Sequence, residues 1–206
     1  MTAFPAAAAE ALLNQYIEAK DNNRPAIIDA AFAQDAWLTI SLDTDAISFP
    51  SRTEGAPAIA RTLVSDFART FDRCRTYYVG ERQSWHDGAM TLPWLVAMRE
   101  TAAGKLRVGR GYYRLGFTAD APTRIASLHI HIDRMDVIDD PGALALAALH
   151  DALPYPRLSA AELEAGFGRV LSKHPALDGL RAFAEPAPNG DTTSPGRGAP
   201  DASTLH

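Results

Sequence analysis

At Asp72 the hydrophobic pattern of the chain changes from helical to extended, and it stays extended for about 65 residues. The run is broken at His86-Asp87-Gly88, Ala102-Ala103-Gly104 and Asp120-Ala121-Pro122, residues suited to tight turns. Four strands are therefore predicted, near 74–85, 89–99, 106–117 and 124–137, and their consecutive hairpins imply an antiparallel meander. In the fourth, Ala126, Leu128, Ile130 and Ile132 alternate with Ser127, His129, His131 and Asp133, so one face is apolar and the other polar.

The sequence before Asp72 supplies a partner for the apolar face. Leu12, Leu13, Tyr16 and Ile17 recur at helical spacing, with Glu18, Lys20 and Asp21 at other positions, which predicts an amphipathic helix over about residues 6–22. Pro25 opens a second short helix carrying Ile27, Ile28, Ala31 and Phe32, and the two form a hairpin. Trp37, Leu38, Thr39 and Ile40 read as a strand, and the segment 43–55 as a loop. A third helix follows Pro57, with Ile59, Leu63, Phe67 and Phe71 every four residues. Helices first and a meander second make an α+β domain over residues 1–140.

Beyond Pro141 an alanine- and leucine-rich stretch leads to Ser159 and Glu162, a capping box before Leu163, Phe167, Val170 and Leu171. Residues 141–184 are thus expected to be a helical extension. Residues 185–206, rich in Pro, Gly, Ser, Thr and Asp, bury too little apolar surface to repay ordering, so a disordered tail is expected.

Composition excludes several functions. Twenty Lys and Arg against 25 Asp and Glu give a net charge of −5, which offers no footprint for nucleic acid. No apolar run reaches the roughly 18 residues of a membrane helix. The N-terminal stretch has no Lys or Arg before Lys20 and carries Glu10, the wrong pattern for a secretory signal, so a cytoplasmic address is expected. The single Cys74 forms no internal disulfide and is read as buried filler. His129 and His131 share one side of a strand, opposite its apolar face, and His86 sits in turn chemistry; no metal site is expected. Arg99, Arg107, Arg110, Arg114 and Arg134 are read as cross-strand ion-pair partners rather than a ligand site. The aromatic set Trp37, Trp85, Trp94, Tyr77, Tyr78, Tyr112 and Tyr113 concentrates on the strands and suits either core packing or a flat apolar ligand.

Several stretches carry a family resemblance over roughly residues 6 to 138. The segment Leu13-Asn14-Gln15-Tyr16-Ile17-Glu18-Ala19-Lys20-Asp21, the transition Ala31-Phe32-Ala33-Gln34-Asp35-Ala36-Trp37-Leu38, the helix start Gly55-Ala56-Pro57-Ala58-Ile59 and the strand Tyr77-Tyr78-Val79-Gly80 resemble the nuclear transport factor 2-like superfamily, in its SnoaL-like branch of polyketide cyclases and ketosteroid isomerase-like proteins. The resemblance implies a cone-shaped curved sheet closed by the helices around a hydrophobic pocket, with a homodimer formed through the outer sheet face. It further implies a small apolar or aromatic ligand, no cofactor, and proton-transfer chemistry such as isomerisation, dehydration or cyclisation of a polycyclic or aromatic ketone.

On this reading Tyr16 is the hydrogen-bond donor to a developing oxyanion, Asp21 or Asp43 the base, and Trp37, Tyr77, Trp94 and Tyr113 the pocket walls. The chain also departs from the family pattern. The isomerase's base position falls at Ile40, its oxyanion-hole acid near Gly111, and the dehydratase's strand His at Tyr77. These departures support the alternative of a non-catalytic ligand-binding or protein-assembly module using the same pocket.

Overall fold

The computed structural model describes residues 6–184, and the expected tail at 185–206 lies outside them. Helix α1 (Ala6–Asp21) buries Leu12, Leu13, Tyr16 and Ile17, and α2 (Pro25–Ala31) has Pro25 in its first turn. Phe32, expected in that second helix, instead starts β1 (Phe32–Leu42). The following loop contains a short strand, β2 (Arg52–Glu54). The third helix is broken into α3 (Ala56–Ala60), a π-helical turn at Arg61–Ser65 and α4 (Phe67–Thr70). Such turns mark places where a regular helix has been adjusted to its surroundings, and here the residues beside it border the cavity described below.

The meander comprises β3 (Phe71–Val79), β4 (Ser84–His86), β5 (Ala89–Glu100), β6 (Lys105–Phe117) and β7 (Ile125–Asp139). A 3₁₀ turn at Gly80–Arg82 divides the first expected strand into β3 and β4. With β8 the two-residue strand Arg157–Leu158, the sheet order is β2-β1-β7-β6-β5-β3-β8, with β4 also paired to β5. The sheet is mixed rather than purely antiparallel, because β1 runs parallel to β7 and β8 runs parallel to β3. The crossover through helices and meander brings the first strand back beside the last in the same direction, as parallel pairing requires.

A bulge between β6 and β7 sets which residues face inward. Arg110 pairs with Arg134 while Gly111 pairs with Ile132, so Asp133 is the extra residue. Ile130 and Ile132 line the cavity on one side of the bulge and Met135 lines it on the other. Gly111 is required at this point: a Cβ there would lie 1.8 Å from the His131 carbonyl oxygen and 2.9 Å from the Trp94 ring.

Two apolar layers sandwich the sheet. The inner layer joins α1, α2 and the broken third helix to Leu38, Ile40, Tyr78, Leu92, Trp94, Tyr113, Leu128 and Ile130. The outer layer is built by the extension. Helices α5 (Leu144–Ala152) and α6 (Ala160–Lys173), with a 3₁₀ segment at Pro175–Phe183, cover the outer face of β3, β5 and β6 at Tyr77, Val79, Leu95, Ala97, Leu106 and Val108. The capping box at the start of α6 is formed as expected, with Ser159 and Glu162 bonded reciprocally. A homodimer through the outer face has only the β1–β7 half of that face open to it.

The arginine reading holds in part. Arg99 pairs with Asp72, Arg107 with Glu100, Arg110 with Asp133 and Arg134 with Asp136. The first three pairs are cross-strand as expected, Arg134 and Asp136 lie on the same strand, and Arg114 has no ion pair among the described residues.

Candidate ligand-binding cavity

Between the inner sheet face and the helices lies a cavity of about 50 Å³. Its walls are aliphatic and aromatic: Ile40 and Ile130 from the sheet, Leu63 and Phe67 from the broken helix, Trp94 and Tyr113 from β5 and β6. Ile47, Phe49 and Phe67 are only partly buried and form the rim. Trp94 stacks on Tyr113 with ring centroids 5.5 Å apart, and Tyr113 meets Tyr16 edge to face at 5.6 Å.

The polar end belongs to α1. Tyr16 and Lys20 are one helical turn apart, so both reach the cavity from the same helix face. The Lys20 side chain is 8% exposed and that of Asp21 only 2%, with Nζ 2.8 Å from the Asp21 carboxylate. Nζ also donates to the Cys74 sulfur at 3.2 Å and lies 5.3 Å from the centre of the Phe67 ring. Burial by itself lowers the Lys20 pKa, but the Asp21 carboxylate beside it reverses the shift and holds the group well above its ordinary range. Lys20 is therefore a cation at neutral pH. Burial pushes the Tyr16 phenol up to about 12, with Lys20 acting in the opposite sense, and pushes the Cys74 thiol up to about 12, helped by Asp21. Neither group is an anion near pH 7.

Asp21 is fully engaged. It accepts from the Thr76 amide at 2.7 Å, the Thr76 hydroxyl at 3.0 Å, the Cys74 thiol at 3.4 Å and the Tyr155 hydroxyl at 3.1 Å, besides pairing with Lys20. By contrast, the Tyr16 hydroxyl and the Trp94 indole Nε1 are buried without a hydrogen-bond partner. Buried polar groups are rarely left so, and unmet ones need a reason. Both belong to side chains that line the cavity.

The residues singled out in the sequence divide cleanly. Tyr16, Trp94 and Tyr113 line the cavity. Asp21 stands behind it, one layer back, as partner of Lys20. Asp43 lies elsewhere: it is solvent-exposed after β1 and faces His131 Nε2 at 3.4 Å. Trp37 is 43% exposed on the outer side of β1, where strand parity puts it opposite its neighbour Leu38. Tyr77 points outward under the extension and meets Tyr155, whereas its neighbour Tyr78 points into the inner core. The two departures at Ile40 and Gly111 both fall on the inner face, and both are apolar there. His129 and His131 are on the outer face, bonded to Thr39 and Ser41.

Lys20 is a cavity residue that the sequence does not single out, because the charge pattern places it with Glu18 and Asp21 away from the apolar positions of α1. Its spacing of four from Tyr16 was the available signal.

Neither a protein-family model nor a curated protein sequence matches the chain. Solved structures do. Kfla4162 from Kribbella flavida is similar over 64% of this chain and 92% of its own, at 11% identity and a TM-score of 0.53. A hexachlorocyclohexane dehydrochlorinase, LinA type 2, is similar over 65% and 88%, at 12% identity and a TM-score of 0.51. A protein from Novosphingobium aromaticivorans described as a scytalone dehydratase is similar over 66% and 91%, at 15% identity and a TM-score of 0.50. These likenesses show the fold: the arrangement of a large curved sheet closed by helices is the nuclear transport factor 2-like fold, and this chain has it.

Proposed function

We propose that the protein binds a small, mainly apolar molecule in the cavity through one hydrogen-bond-accepting oxygen, a carbonyl or carboxylate, held by Tyr16, Lys20 and Trp94. The observation that carries this reading is the pair of unpartnered buried donors, Tyr16 Oη and Trp94 Nε1, on the walls of the same cavity as the Lys20 ammonium. An ammonium and an indole N–H only donate, and the phenol is free to donate, so their natural complement is an acceptor.

Size narrows the ligand. A cavity of roughly 150 Å³ holds benzene, and this one is about 50 Å³. A short aliphatic ketone or acid fits better than the polycyclic ketone the family resemblance implies, unless the rim residues Ile47, Phe49 and Phe67 move apart.

Binding is favoured over turnover because the electrophilic half of a proton-transfer site is present without its base. Among the described residues no Asp, Glu or His lines the cavity. The second reading, a cofactor-independent isomerase or lyase, rests on Asp21 standing directly behind Lys20. The names dehydrochlorinase and dehydratase among the similar folds agree with that class, at identities that carry the fold alone.

Ligand-observed NMR with matched sets of small ketones, carboxylic acids and isosteric hydrocarbons tests the proposal. Oxygenated members are expected to bind and hydrocarbons not, with Tyr16→Phe weakening binding about three- to tenfold and Lys20→Met weakening it more. Binding indifferent to the oxygen overturns the head-group assignment. Proton exchange at carbon α to the ketone, lost in Asp21→Asn, establishes the enzymatic reading instead.

A further inference from the structure

We propose that Asp43, His131 and Asp133 form a divalent metal site on the outer sheet face, remote from the cavity and contrary to the expectation of no metal. The three side chains place a ring nitrogen of His131 and a carboxylate oxygen from each Asp within 4.8 Å of one another, and His131 Nε2 is 3.4 Å from Asp43 Oδ2. Donors bound at roughly 2.0–2.2 Å to one ion stand about 3–4 Å apart, so small side-chain rotations close the set.

The backbone brings these residues together by pairing. In the parallel β1–β7 ladder Thr39 is opposite His129 and Ser41 opposite His131. The Asp43 amide donates to the Ile132 carbonyl at 2.9 Å, which carries the end of β1 alongside the bulge at Asp133. Strand parity then sets His131 and Asp133 on the same outer face.

The surroundings orient the imidazole for ligation. Ser41 Oγ is 2.8 Å from His131 Nδ1 and 3.2 Å from His129 Nε2, and Thr39 Oγ1 is 2.9 Å from His129 Nδ1. One proton arrangement of this chain runs from His129 Nδ1–H to Thr39, from the Ser41 hydroxyl to His129 Nε2, and from His131 Nδ1–H to Ser41. It leaves His131 Nε2 as a bare lone pair facing the Asp43 carboxylate, an arrangement that a cation between them satisfies. The Tyr112 ring, stacked on His131 at 4.9 Å, fixes the imidazole plane.

Asp133 is held by Arg110 Nε through Oδ2 at 2.7 Å, and no other side chain of the described residues hydrogen-bonds its Oδ1. Arg110 thus positions one ligand while neutralising one of the two carboxylates, leaving net negative charge for an ion. His131 and Asp43 are accessible, with side chains 15% and 65% exposed.

One nitrogen and two carboxylate oxygens suit Zn²⁺ above Mn²⁺, and three protein ligands leave coordination positions open to solvent or a further donor. Isothermal titration of Zn²⁺ into chelator-treated protein, with Co²⁺ absorption reporting coordination, tests the site. One saturable ion per chain is expected, abolished by His131→Ala, unaffected by His86→Ala, and weakened about 10- to 100-fold by Ser41→Ala, which removes the bonds to His131 and His129 without removing a ligand. Variants are checked for folding by circular dichroism. No saturable ion, or an ion retained in both His131→Ala and Asp133→Asn, overturns the proposal.

Discussion

The inner and outer faces of the same sheet are filled in different ways. Inside, large aromatic rings and the helices meet imperfectly, leaving a cavity and three unmatched polar atoms, Tyr16 Oη, Tyr78 Oη and Trp94 Nε1, of which the first and last belong to residues that line the cavity. Outside, over β3, β5 and β6, the segments of the extension pack closely on one another: a Cβ on Gly166 of α6 would lie 2.4 Å from the Leu153 side chain, while the Tyr77 hydroxyl and His150 Nε2 are left unmatched there. Beyond the edge of the extension, over β1 and β7, the outer face is a polar network of hydroxyls, imidazoles and carboxylates. Close packing serves stability, whereas a cavity forgoes the contacts its lining would otherwise make.

The contrast is broken or sharpened first by truncating the outer layer. Phe167 is buried in the centre of that layer. Phe167→Ala is expected to destabilise the fold by about 3–5 kcal/mol in denaturant titration, as for a large side chain removed from a tight core. A loss under about 1 kcal/mol means that the extension contributes little to the stability of the sheet.

Acidification gives the next largest effect. His150 of α5 is held down to about 4, first by burial and then by Arg75, whose guanidinium donates to the His150 carbonyl at 2.9 Å. The unfolded chain, with an ordinary imidazole near 6.5, binds more protons than the folded one between those values. Stability from a neutral His150 is therefore complete above pH 6.5 and is lost as the pH falls towards 4. Allowing for its partial exposure, the loss is about 1–3 kcal/mol. His150→Gln should flatten this part of the stability–pH profile, and an unchanged slope assigns it to other groups.

The smallest effect is expected on the inner face. Tyr16→Phe removes a buried hydroxyl that makes no well-formed hydrogen bond and lies beside the Tyr113 phenol. The fold should be unchanged or stabilised by up to about 1 kcal/mol, measured by thermal unfolding without ligand. A clear loss of stability shows that the hydroxyl has a structural partner and weakens its assignment to a ligand.

Much of this division was legible in the sequence. Strand β7 alternates because its outer face over this half of the sheet is open to water, and the alternation gave its inner face correctly. Strand β5 is apolar almost without a break from Leu92 to Met98 because it is covered on both sides. That run is compatible with a second layer, but that the helices after Pro141 supply it was not legible in the sequence and is decided by the tertiary packing. The cavity aromatics Tyr16, Trp94 and Tyr113 followed from family resemblance and strand position. Lys20, Trp37 and Tyr77 did not, for reasons of parity and helix face: a shift of one residue along a strand turns a side chain to the opposite side of the sheet.

Local chemistry thus determined the elements, their turns, the capping box of α6 and the α+β order, since periodicity and cap residues act over a few positions. Tertiary structure alone decided the parallel return of β1 onto β7, the burial of Lys20 against Asp21 and Cys74, and the meeting of Asp43 with His131 and Asp133. Those contacts join residues 53 to 90 positions apart in the examples of Asp21 with Cys74 and Ser41 with His131. No short-range pattern encodes such a meeting; it follows from the register of the assembled sheet and from the burial that makes each charge seek its partner.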